Sequence, residues 1–263
     1  MKRALLSSTI ALLFALPPVT ARVAVPLVVP PAVADAVADS HRPAEQVRLD
    51  VLRQPARLLA FAGVMPGDVV ADFMPGNGYF TRLLSKVAGR TGKVYAFIPE
   101  EQVKNCPPRE IAGSRQIERD PFYANVTVMT GAVDRFSMPR RLDVLWTAQN
   151  YHDLHDTFMG PADIKALNEA FFNALKPGGI FIVIDHAAAA GSELRDTETL
   201  HRIDPVTLRK EIEAAGFVFE SQDNALANAA DDHSRTVFDP LIRGKTDQFV
   251  FKFRKPAASP NTI

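Results

Sequence analysis

Along the chain, stretches with apolar residues at helical spacing alternate with short runs that are apolar throughout. The segment AEQVRLDVLRQPARLLAFAG, residues 44–63, carries the helical pattern, interrupted at Pro55 and stopped at Gly63. DVVADFM, residues 68–74, is a short apolar run suited to a strand covered on both faces. A helix over 79–88 follows, then the strand KVYAFI, residues 93–98, and a polar, irregular stretch that contains another helix. VTVMTG (126–131) and LDVLWTAQ (142–149) read as the next two strands, with Trp146 in the core. Ile164, Leu167, Phe171 and Leu175 fall on one helical face, and LKPGG, residues 175–179, stops that helix with proline and glycine. The strand IFIVIDH, residues 180–186, comes next. Asp204 and Pro205 open a further helix as N-cap and first helical residue. AAGF (214–217) closes it into the strand FVFES, and QFVFKFR (248–254) is the last strand. Seven strands separated mainly by helices predict an α/β fold with a doubly wound, Rossmann-like sheet. Ligands bind such sheets at the carboxyl ends of the strands.

Composition narrows the function classes. The 263 residues are 47% hydrophobic and 23% charged, which is enough apolar material for one good-sized domain. Lysine plus arginine equals aspartate plus glutamate at 30 each, so no basic surplus points to nucleic acid. The N-terminus reads differently from the rest. MKRALLSSTIALLFALPPVTA has two positive charges, an apolar run and a small-residue end, the pattern of a secretory signal spanning 1–21. A second possible cut lies after Ala34, and Pro17-Pro18 with the short apolar core argues against a membrane span. Cleavage after Ala21 removes Lys2 and Arg3, leaving 28 basic and 30 acidic residues, a net charge of −2. The expectation is an exported protein, periplasmic or secreted, not stably inserted in a membrane once the signal is removed. Residues 22–42, rich in Val, Ala and Pro, are expected to be a linker or loose arm, 43–255 the domain and 256–263 a tail. With Cys106 as its only cysteine, the chain forms no internal disulfide.

Three motifs stand in order along the domain: PGDVVADF before a glycine-bearing turn, LKPGG between helix and strand, and AAGF ahead of the last strands. In this the chain resembles the class I S-adenosylmethionine-dependent methyltransferases, from about Pro43 to Lys255, and within them an exported bacterial group of predicted methyltransferases. The resemblance implies that the last strand is antiparallel and inserted beside the fifth. It also implies S-adenosylmethionine as cofactor and a small molecule as methyl acceptor.

Such enzymes carry acid-x-Gly-x-Gly-x-Gly after the first strand, which here aligns Asp72, Met74, Gly76 and Gly78. The two remaining glycines let the backbone approach a ligand, with Asn77 between them and a helix N-terminus behind. Met74 fits in place of the first glycine if its φ is negative, and it would bring a thioether near the methionine end of the cofactor. The acid expected at the end of the second strand, for the ribose hydroxyls, is replaced by Ile98, with Glu100 two residues later. The acid expected after the third strand, for the adenine, is replaced by Ala132, with Asp134 two residues later. Glu100, Asp134 and Asn150 therefore complete the expected cofactor contacts.

Polar chemistry gathers at the other strand ends. QNYHDLHD, residues 149–156, follows the fourth strand, and the fifth ends in Asp185-His186. His152 is the expected general base, with Asp185 or His186 orienting it or sharing its role. The bland alternative is a polar loop that caps the next helix. A divalent metal at Asp153, Asp185 and His186, with His152 nearby, is a further alternative, and the histidines suit Zn²⁺, Mn²⁺ or Fe²⁺ better than Mg²⁺. His201 and Arg202 are weaker substrate-site candidates, since Asp204 already has work as a helix cap. The long connection 224–247 reads as a lid or wall containing Asp232, His233 and Arg243. Three function classes remain open at this point: a methyltransferase, an inactive binding protein on that fold, and a metal-assisted enzyme centred on Asp185, His186 and His152.

Overall fold

The computed structural model describes residues 27–160 and 162–257. The expected signal segment lies outside the described residues, as does all of the expected tail beyond residue 257.

The chain opens with helices α1 (Pro31–Val37), α2 (Ala44–Val47), α3 (Asp50–Arg53) and α4 (Pro55–Ala62). Strand β1 (Val69–Phe73), helix α5 (Tyr79–Ala88) and strand β2 (Lys93–Pro99) form the first crossover unit. Helices α6 (Glu100–Asn105) and α7 (Ala112–Arg119) precede β3 (Val126–Gly131), and β4 (Leu142–Ala148) follows. Then come α8 (Ile164–Ala174), β5 (Leu175–His186), α9 (Thr197–Leu200), α10 (Pro205–Ala214), β6 (Val218–Asp223) and β7 (Gln248–Arg254). The sheet has seven strands in the order β3-β2-β1-β4-β5-β7-β6. The first five are parallel, and β7 lies between β5 and β6, antiparallel to both. This is the doubly wound sheet with an inserted antiparallel last strand that the sequence led us to expect.

The period-two pattern of the strands divides the core between the two faces. Val69, Ala71 and Phe73 of β1 face one hydrophobic cluster, which α8 and α10 cover with Leu167, Phe171, Leu208 and Ile212. Val70 faces the other, with Val144 and Trp146 of β4, covered by α4 and α5 through Leu58, Leu59, Leu83 and Val87. All five β1 residues are buried, which is why the run is apolar save for Asp72.

Two expectations change. Part of the stretch taken for a loose arm is the helix α1, whose Val33 and Ala36 are buried in the second cluster. Its short apolar stripe finds a partner only in the folded domain. LKPGG also does more than stop a helix, because β5 begins at Leu175, which pairs with Leu142. Among the described residues, no helix is long and apolar enough to cross a membrane.

Candidate functional site

β1 ends in a turn whose backbone is turned outward by left-handed residues. Met74, Gly76 and Gly78 have φ of 57°, 55° and 73°. A Cβ at Gly78 would lie 2.2 Å from Ile117 Cδ1, so glycine is required there by packing as well as by φ. At Gly76 the nearest atom to such a Cβ is Glu110 O at 3.8 Å, an ordinary contact, so φ and not packing favours glycine there. Asn77 is tied down from two sides: its Oδ1 accepts from Gly113 N at 2.9 Å, and its carbonyl accepts from Gln46 Nε2 and Arg82.

Met74 departs from both expectations. Its φ is positive, a conformation that costs a side-chain-bearing residue about 1–2 kcal/mol. Its side chain is 1% exposed and packs in the first hydrophobic cluster, away from the turn's open side. Met74 N donates to Phe97 O, and Met74 O accepts from Asn150 Nδ2 at 2.8 Å, so the backbone is pinned between β2 and the end of β4.

Above this turn lies a cavity of about 900 Å³ along the carboxyl edge of β1, β4 and β5. At one end it is lined by Asp72, Pro75, Gly76 and Asn77. At the other it is lined by His152, Asp153, His186, His201 and Phe238, with Asn150 beside the turn through its bond to Met74 O. Its size suits a drug-sized or nucleoside-sized ligand. Asp72 is buried and accepts from Thr81 Oγ1 at 2.6 Å; burial raises its pKa to about 7 against that hydrogen bond.

Glu100 and Asp134 do not line this cavity, and the expectation that they replace the missing acids is corrected. Glu100 points outward as the first residue of α6, and Asp134 is exposed beside Arg135. Ile98 is fully buried in the sheet. The polar groups that do face the cavity from this side are on segments with no sequence signal. They include Gln102, buried with its Oε1 accepting no hydrogen bond, and Gln46 and Arg53 from the helices before β1. Cys106 also lines the cavity, its thiol pushed up to about 11 by burial and by Glu110.

At the far end the histidines and acids converge. Asp185, fully buried at the end of β5, accepts from His152 N at 2.8 Å and lies 2.7 Å from His152 Nδ1. An ionised carboxylate only accepts, so Nδ1 carries a proton. The other ring nitrogen, Nε2, lies 3.1 Å from Asp153 Oδ1. Burial opposes charge on His152, but the Asp185 and Asp153 carboxylates outweigh it and hold the pKa well above the ordinary value. Burial likewise opposes ionisation of Asp153, yet His152 and His201 bring it down to about 2. A ring clamped between two carboxylates has no free nitrogen, which corrects the expectation that His152 is the general base. His186 is placed otherwise. Its Nδ1 is 2.8 Å from Thr246 Oγ1, and burial pushes its pKa down to about 3, so the ring is neutral.

His201 joins this cluster from the end of α9, with φ 55°. Arg202 does not: it is fully buried, paired with Asp231 at 2.9 Å and donating to Ala187 O and Arg235 O. It fastens the 224–247 connection to the sheet. Within that connection Val237 and Phe238 line the cavity, whereas Asp232, His233 and Arg243 do not. A wall is therefore present where expected, made of apolar side chains. Asp204 caps α10 by accepting from Val206 N.

No family model matches the chain. Solved structures do. A methyltransferase dependent on S-adenosylmethionine from Mesorhizobium loti is similar with a TM-score of 0.54 at 16% identity, covering 78% of this chain and 99% of its own. The chain has the fold of the S-adenosylmethionine-dependent methyltransferases. One from Aquifex aeolicus superposes with a TM-score of 0.52 at 17% identity over 80% of this chain and 98% of that one. The glycopeptide N-methyltransferase MtfA, complexed with sinefungin, gives 0.52 at 14% identity over 80% and 87%. In this methyltransferase fold the glycine turn and the histidine cluster occupy opposite ends of one cavity.

Proposed function

We propose that the protein transfers a methyl group from S-adenosylmethionine to a small-molecule acceptor. The observation that carries this reading is the single cavity running from the Gly76–Gly78 turn to His152, Asp153, His186 and His201. Pro75, Gly76 and Asn77 would hold the methionine end of the donor, since the backbone there lines the cavity and allows close approach. Asp72 and Asn150 set that end of the cavity, and Gln102 Oε1 accepts from the ribose in place of the acid that Ile98 displaces. The acceptor sits against Phe238 and the histidines. There His186, neutral and lining the cavity, accepts a hydrogen bond from the acceptor and orients it, the acceptor's proton passing to solvent as the methyl group leaves the donor's sulfur, while Asp185 and His152 position the loop around it.

The reading includes export directed by residues 1–21. A cut after Ala21 leaves α1 whole, whereas a cut after Ala34 would remove its first half.

Calorimetric titration of S-adenosylmethionine and its demethylated product into protein purified without added ligand tests the proposal. Micromolar binding that Gly76→Val abolishes is the expected result. Absence of heat with either ligand at millimolar concentration would overturn it and leave an inactive protein on this fold.

A further inference from the structure

Three side chains from the turn after β4 and one from the end of α9 meet at the far end of the cavity in a way that methyl transfer does not require. His152 Nε2 lies 3.1 Å from Asp153 Oδ1, and His201 Nδ1 lies 3.6 Å from the same oxygen. The three donor atoms all fall within 4.8 Å of one another. Two ligands bound about 2.0–2.1 Å from one tetrahedral ion stand about 3.4 Å apart, so the spacing suits a single ion. A fourth group supplies an independent observation. The Asp156 carboxylate is 1% exposed, neither of its oxygens accepts a hydrogen bond, and Oδ2 lies 3.8 Å from His201 Nδ1. A buried carboxylate left without donors is costly, and a cation at this point would satisfy it.

The surroundings orient the two rings. Asp185 holds the proton on His152 Nδ1 and fixes the ring so that Nε2 faces Asp153, where an ion would take the place of the proton this nitrogen otherwise shares with the carboxylate. His201 is held at φ 55°, a conformation unfavourable for histidine, with its ring edge-on to Phe238 at 4.8 Å between centroids. That backbone conformation is what presents Nδ1 to the two aspartates.

We propose that His152 Nε2, Asp153 Oδ1 and His201 Nδ1 bind a divalent transition-metal ion of the zinc type, with the buried Asp156 carboxylate as a neighbouring counter-charge beside His201. Two imidazoles and a carboxylate oxygen suit such an ion and not Mg²⁺ or Ca²⁺, which favour oxygen donors throughout. The site differs from a metal centre built on Asp185 and His186. Asp185 stands behind His152 as its hydrogen-bond partner, and His186 Nδ1 is turned to Thr246. Because His152, Asp153 and His201 line the cavity, an oxygen or nitrogen of a bound small molecule can complete the ion's coordination. The site stands whether or not S-adenosylmethionine is the donor.

The test uses the mature chain treated with chelator and then titrated with Zn²⁺ alone by calorimetry and with Co²⁺ alone by visible absorption. One ion per chain is expected, with the intense d–d bands of four- or five-coordinate Co²⁺. His201→Gly, which suits the positive φ, and Asp153→Asn each weaken Zn²⁺ binding by more than tenfold. Asp185→Asn, which removes no ligand, weakens it by about 10–100-fold. His155→Ala, whose ring is bonded to Glu211, leaves it unchanged. Thermal melting of each variant verifies that it is folded. Wild-type protein that binds neither ion at millimolar concentration would overturn the proposal. Binding that survives both His201→Gly and Asp153→Asn would overturn it equally.

Discussion

At the Pro75–Gly78 end of the cavity the wall is backbone, shaped by three left-handed residues over positions 74–78, and the buried acid Asp72 has its pKa raised by burial to about 7. At the His152–His201 end the wall is side chain, with three aspartates and three histidines brought together from the β4, β5 and α9 ends. The first end can receive a ligand by close approach and by the N–H groups of a helix start. The second end holds fixed charges whose balance depends on each partner staying in place. The same sheet edge thus carries one end walled by backbone and another walled by paired charges.

The largest effect should come from breaking the charged end. Asp185→Ala removes the acceptor of two hydrogen bonds from His152 and one from His186 N, leaving the buried imidazole with one carboxylate partner in place of two. Urea unfolding should show a loss of about 3–5 kcal/mol, and a loss under 1 kcal/mol would mean that this end is not a coupled unit.

Asp72 offers a test of the other end through pH. Its folded pKa, about 7, lies above the ordinary 3.8, so the native state keeps a proton that the unfolded chain releases first. Stability from this group is therefore lost as pH rises from about 4 to about 7. The difference between wild type and Asp72→Asn should change across that window by up to about 4 kcal/mol, since one pKa unit corresponds to about 1.4 kcal/mol. A flat difference would show that Asp72 is ionised throughout.

Met74→Gly separates backbone strain from packing. Relief of the positive φ is worth about 1–2 kcal/mol, but removing a buried side chain of this size costs about 2–5 kcal/mol. The variant should be less stable by about 1–3 kcal/mol in denaturant unfolding, even though glycine is what the family pattern carries there. A gain in stability would put the methionine side chain outside the core.

The smallest change in stability should accompany the clearest change in binding. Gly76→Val should destabilise by only about 1–2 kcal/mol, the cost of a β-carbon at φ 55°, because its Cβ makes only an ordinary contact, with Glu110 O at 3.8 Å. Its effect on ligand titration should nevertheless be complete. If the variant still bound S-adenosylmethionine as wild type does, the backbone end of the comparison would fail.

Most of the fold was legible because it rests on local signals. The helix 79–88 coincides with α5, Asp204-Pro205 caps and opens α10, and the apolar runs mark all seven strands. The glycine turn was legible as well, since φ above zero and close approach select glycine at Gly76 and Gly78. The sequence did not reveal which side chains share a space. Glu100 and Asp134 stand two residues from expected positions, yet a helix start and an exposed turn carry them away from the cavity. Gln46, Arg53 and Gln102 enter it from segments whose pattern speaks only of helices. Met74 faces the core because the turn's backbone is pinned to Phe97 and Asn150. His201 and Asp156 reach His152 and Asp153 only when β4, β5 and α9 end side by side. Periodicity and turn chemistry act between residues close in the chain, so they determined the elements; the chemistry at the strand ends is a matter of distances between segments, which only the packed sheet decides.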